Sequence, residues 1–82
     1  MDYSLTLHAK QRLKERNISR IFLKQALDYP TKIGLDAHGN VFIKKLFSRR
    51  GKTRLLLVAG TIENEKLKIF TIIDTSKVSK YL

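Results

Sequence analysis

The run His8-Ala9-Lys10-Gln11-Arg12-Leu13-Lys14-Glu15-Arg16 carries the side chains that acid–base chemistry or a phosphate grip would use. At helical spacing His8, Arg12 and Glu15 fall within about 60° of one another, and Ala9 and Leu13 supply an apolar margin beside them. An imidazole with its ordinary pKa of about 6.5 trades protons near neutrality. A guanidinium binds phosphate oxygens in a planar fork. A plainer arrangement uses the same residues: His8 bonded to backbone, and Arg12 paired with Glu15 across one helical turn.

The rest of the chain favours phosphate. Among 82 residues, 17 Lys and Arg stand against 7 Asp and Glu, giving a formal charge of +10. Such an excess costs stability through self-repulsion and attracts polyanions or an acidic protein. It is concentrated in Lys44, Lys45, Arg49, Arg50, Lys52 and Arg54, a stretch with no acid among them. These six are the candidate nucleic-acid-binding residues, because the charges gather around one turn instead of alternating in sign. An ordinary solvated basic face is the competing explanation.

Length allows one small domain spanning residues 1–82, with residues 75–82 as a polar tail. The chain has no cysteine, which excludes disulfides and thiolate metal sites and fits a reducing compartment. The two histidines show no ligand spacing, and no metal or cofactor is expected. The start lacks a signal-peptide pattern, and the apolar runs are too short to span a bilayer, so a soluble cytoplasmic protein is expected.

Two helices must position the opening motif. Thr6 or Ser4 can cap the first, which runs to about Arg16, with Asn17 as a left-handed stop. Ser19 caps a second, whose stripe of Phe22, Leu23, Ala26 and Leu27 ends at Tyr29-Pro30. Four strands follow, at Thr31–Asp36, Val41–Ser48, Thr53–Ala59 and Leu67–Asp74. The turns between them are Asp36–Asn40, Arg49–Lys52 and the polar stretch around Glu63–Lys66. Tyr3–Leu5 is either a short strand or a lead-in, and the tail either a short helix or an arm. Short turns force antiparallel pairing. The expected fold is therefore α+β, with two N-terminal helices packed on one face of a four-stranded antiparallel meander sheet.

The H-A-x-x-R-x-x-E-R pattern at His8–Arg16, the Asn17-Ile18-Ser19 link and the late Phe70-Thr71-Ile72 resemble the domain of unknown function 4258 family. That family is similar in architecture to RelE- and ParE-like toxins and to barnase- and colicin-like ribonucleases. The resemblance implies a RelE-like domain and a small basic toxin-like protein acting on RNA, paired with an acidic antitoxin-like protein. Fold alone does not fix activity.

Metal-independent RNA cleavage needs a base for the 2′-hydroxyl, a cation for the phosphorane and an acid for the leaving oxygen. His8, Arg12, Glu15 and Arg16 are the candidates. His8 would move protons, Arg12 and Arg16 would stabilise charge, and Glu15 would act as base or orient Arg12. By the resemblance, the hydroxyl of Thr71 would touch the scissile phosphate, although it interrupts an apolar face of Leu67, Ile69 and Ile73 and could simply bond within the sheet. Two other classes compete with an endoribonuclease: a non-catalytic nucleic-acid-binding module, and a protein-interaction domain for an acidic partner. Of Lys44 and Lys45, strand alternation sends one among apolar neighbours, either as a functional group or as a snorkelling side chain.

Overall fold

A computed structural model describes all 82 residues. In chain order the elements are β1 (Tyr3–Leu5), α1 (Leu7–Glu15), α2 (Arg20–Asp28), β2 (Lys32–Leu35), β3 (Asn40–Arg49), β4 (Lys52–Glu63), β5 (Lys66–Thr75) and α3 (Val78–Tyr81). The Thr6 hydroxyl accepts the Ala9 amide, and the Ser19 hydroxyl accepts that of Phe22, so each long helix starts at a side-chain cap. Between them Asn17 adopts φ 53°, the left-handed residue that lets α2 fold back after α1.

The sheet has five strands in the order β1-β5-β4-β3-β2, and β1 lies parallel to β5. This corrects the expected four-stranded antiparallel sheet: the sheet is mixed, and a third helix is present. Three residues are too few to show a strand period, and the partner of β1 lies more than sixty positions away, so nothing local marks the pairing. Two further bonds close the ends of this ladder, Leu67 N–H to the Asp2 carbonyl at 3.0 Å and Thr6 N–H to the Ile69 carbonyl at 3.0 Å. Parallel neighbours need a long crossover, which α1 through β4 provides.

The remaining strands form tight hairpins. Arg50 and Gly51 both have positive φ (52° and 76°), as do Asn64 and Glu65 (50° and 64°). Two successive left-handed residues give the turn whose twist matches paired strands. In the β2–β3 turn the Asp36 carboxylate accepts both backbone amides of His38 (2.8 Å) and Asn40 (2.9 Å) and the Asn40 side-chain amide (2.8 Å). The Asn40 bonds foremost hold its carboxyl below the usual carboxylate range.

On one face Ala9, Leu13, Leu23, Ala26 and Leu27 from the helices meet Val41, Ile43, Leu56, Val58, Leu67, Ile69 and Ile72. On the other, Leu55 and Leu57 are also buried, where α3 packs against β4. No helix is long and apolar enough to cross a membrane.

β5 breaks the alternation read from sequence. Ala59 pairs with Thr71 but Gly60 pairs with Ile69, so Phe70 is an extra residue, a β-bulge. Beyond it the faces exchange. Ile72 and Asp74 join Leu67 and Ile69 on the helix side, while Thr71 and Ile73 turn to the opposite side. Gly60 permits the bulge, because a Cβ there would press on the Lys68 carbonyl oxygen. Gly60→Ala is therefore expected to cost about 2 kcal/mol and lower Tm by about 10 °C in a thermal melt.

Candidate nucleic-acid interface

Asp74 is the one charged residue among the buried positions. Its carboxylate, 4% exposed, accepts Arg54 Nε at 2.7 Å through Oδ1 and an Arg49 Nη at 3.1 Å through Oδ2. The bulge aims it at the helix side. Register supplies its partners, since Leu56 pairs with Asp74, Arg54 lies two residues earlier in β4, and Phe47 of β3 faces Arg54. Arg49, two residues beyond Phe47, reaches across β4 to the same carboxylate, and its guanidinium carbon lies 5.5 Å from the Phe47 ring centre. Both arginines keep solvent access, at 28% for Arg54 and 43% for Arg49.

Arg49, Arg50, Lys52 and Arg54 alone line an open depression of about 430 Å³. Four cations against one carboxylate leave a local positive excess. Because Asp74 fixes two of the guanidinium groups, less side-chain freedom is lost when they meet a phosphate. The result is a cluster of cations built on the sheet itself, with the Arg49 and Arg54 forks held in place by Asp74.

Of the two lysines from the same run, Lys45 is on the helix side and donates to the Tyr29 carbonyl at 2.7 Å, closing the end of α2. Lys44 is on the other side, half-buried, opposite Lys32 and Leu57. Neither belongs to the four-cation depression.

The opening helix stands apart. Arg12 donates to Glu15 at 3.2 Å on an exposed surface. The His8 side chain is exposed and makes no hydrogen bond within the chain, and none of His8, Arg12, Glu15 or Arg16 lines a depression. The first turn of α1 is tied through Thr6 to Ile69, opposite Gly60, eight residues along β4 from Lys52. At strand rise that is about 26 Å, which puts His8 at the end of the sheet away from the basic turn. Arg16, at the other end of α1, precedes the Asn17–Ser19 link that borders Arg49. Thr71 is half-buried on the sheet face away from Arg49 and Arg54. Folding thus joins Arg49, Arg50, Lys52 and Arg54, and leaves His8 and Thr71 outside that group.

Sequence reasoning missed Asp74. Its only local signal is a lone acid near the end of an apolar strand in a basic chain, and the bulge that turns it inward leaves no such trace. No family model, curated protein or solved structure matches the chain.

The two ion pairs differ in shielding, and a double-mutant cycle separates them. Asp74→Asn with Arg54→Gln is expected to show a coupling of about 1–3 kcal/mol in denaturant unfolding. Asp74→Asn with Arg49→Gln is expected to show less than about 1 kcal/mol, because Arg49 is the more exposed partner.

Proposed function

We propose that this is a small basic toxin-like protein that acts on RNA in the cytoplasm and holds the phosphate backbone with the β3–β4 hairpin. The observation carrying this reading is the depression lined only by Arg49, Arg50, Lys52 and Arg54, with Asp74 fixing two of the four. Phosphate oxygens arriving there replace water around cations whose mutual repulsion they relieve. Backbone contacts of this kind give affinity and position without reading sequence.

The ribonuclease form of the proposal assigns proton transfer to His8 and charge stabilisation to Arg12 and Arg16, with Glu15 orienting Arg12. For it, the backbone held at the hairpin must extend along α1 to the far end of the sheet. Binding and cleavage therefore separate by mutation. RNA affinity is expected to fall steeply with salt, and neutralising Arg50 or Lys52 to Gln should lower the log–log slope by about 0.7–0.9 each. His8→Ala should leave that slope unchanged and abolish cleavage of total RNA. Cleavage by His8→Ala at the wild-type rate would remove the imidazole from the chemistry, and a flat salt response would remove the phosphate grip.

A second reading, docking of an acidic antitoxin-like protein, draws on the β2 edge. Ile33 and Leu35 are 54% and 75% exposed there, beside Lys32. The Asp36 N–H bond to the Asn40 carbonyl sets the alternation, so the amides of Ile33 and Leu35 point away from β3. A strand with acidic side chains would complete this edge. Titration with a peptide of alternating Glu and Val is expected to shift the Ile33 and Leu35 amide resonances, and an alternating Lys and Val peptide to leave them in place. Equal response to both peptides would discard the docking role.

A further inference from the structure

A second depression adjoins the cationic one, and Arg49 lines both. It encloses about 290 Å³ between Asn17, Ile18 and Ser19 of the interhelical link, Phe22 of α2, and Phe47, Ser48 and Arg49 of β3. Phe22 and Phe47 meet edge to face with ring centres 5.0 Å apart, forming an apolar floor. Beside it stand polar groups with hydrogen-bonding capacity to spare. The side chain of Asn17 is exposed and makes no hydrogen bond within the chain. The Ser19 hydroxyl accepts the Phe22 amide and keeps its proton to donate.

We propose that this depression receives one unpaired nucleobase, so that the hairpin end of the sheet binds a single-stranded RNA nucleotide in two parts. The phosphate sits on the Arg49–Arg54 cluster, and the base rests against the Phe22–Phe47 pair. This rests on the reading of the hairpin as a phosphate grip and adds the state of the strand it accepts. Arg49 joins the two halves, because Asp74 and the Phe47 ring hold its guanidinium between them.

The chemistry of each wall fits a base. Aromatic rings bind any nucleobase through its flat face, and an arginine plane adds a cation–π contribution. The Asn17 amide offers a donor and an acceptor side by side, the pattern that pairs with a base edge. A duplex fits poorly, because its bases are stacked and A-form RNA hides them in a deep, narrow major groove. Cations alone would hold a duplex at least as well as a single strand, since the duplex carries the denser charge. Preference for unpaired RNA is therefore a property of the second depression and not of the first.

The test compares, by fluorescence anisotropy at one salt concentration, a short single-stranded RNA, the same length as duplex, and a single strand of abasic ribose phosphates. Wild-type protein is expected to bind the single strand about tenfold tighter than the abasic strand. Phe47→Leu should erase that difference while leaving the salt slope, which counts the cations and not their support, unchanged. Asn17→Gly tests the same wall without risk to the fold, because glycine keeps the left-handed backbone that Asn17 adopts. It should level the differences among homopolymers of the four bases. If Phe47→Leu fails to fold, the wild-type comparison and Asn17→Gly still decide. Equal affinity for the normal and abasic strands, unaffected by Asn17→Gly, would overturn the base pocket and leave the phosphate grip standing. Binding to none of the three would overturn both.

Discussion

Between Leu67 and Asp74 the last long strand carries one residue more than its partner, and every side chain beyond Phe70 exchanges faces. Were these same residues paired in plain alternation, with no bulge, Ile72 would leave the core and Asp74 would face away from the helices. With it, Ile72 fills the interior beneath α1 and α2, and a carboxylate arrives where two arginines of the neighbouring hairpin converge. The bulge depends in turn on Gly60, the one residue type that leaves room for the Lys68 carbonyl. A single backbone irregularity thus sets the composition of the core and the electrostatics of the basic end.

Asp74 changes what the surrounding positive charge can do. Free arginines on a hairpin sample many rotamers and lose that freedom on meeting an anion. Arg54 and Arg49 have already lost much of it, to a carboxylate in the lee of the helix layer. Burying one acid carries a desolvation cost, which two guanidinium groups offset while their outer N–H groups stay accessible. Arg50, at the left-handed position of the turn, and Lys52 remain unpaired, so the hairpin presents two fixed and two adaptable cations.

The helix layer reaches this end of the sheet through its link and the first turn of α2. Asn17, Ile18 and Ser19 stand next to Phe47 and Arg49, whereas His8 begins the same helix at the far end. The two chemically suggestive stretches of the chain are therefore connected by the length of α1 and share no pocket. Any mechanism using both must act on a ligand long enough to touch each, and a polynucleotide backbone has that extent.

Local patterns told much of this in advance. The caps at Thr6 and Ser19, the left-handed Asn17, the glycine turn after Arg50 and the apolar run at Leu55–Val58 are each set by interactions within a few residues, and each reads directly from residue type and spacing. The strength and location of the positive charge are likewise properties of composition. Tertiary structure alone decided the rest. The pairing of β1 with β5 joins segments at opposite ends of the chain through backbone bonds that carry no side-chain signature. The bulge arises from how two strands fit, and it turned Thr71 and Ile73 away from the helices and Asp74 toward them, the reverse of an unbroken period of two from Leu67. Whether His8 stands beside the hairpin cations depended on which strand end α1 starts from. A helix period fixes which residues share a face, but only packing fixes where that face lies.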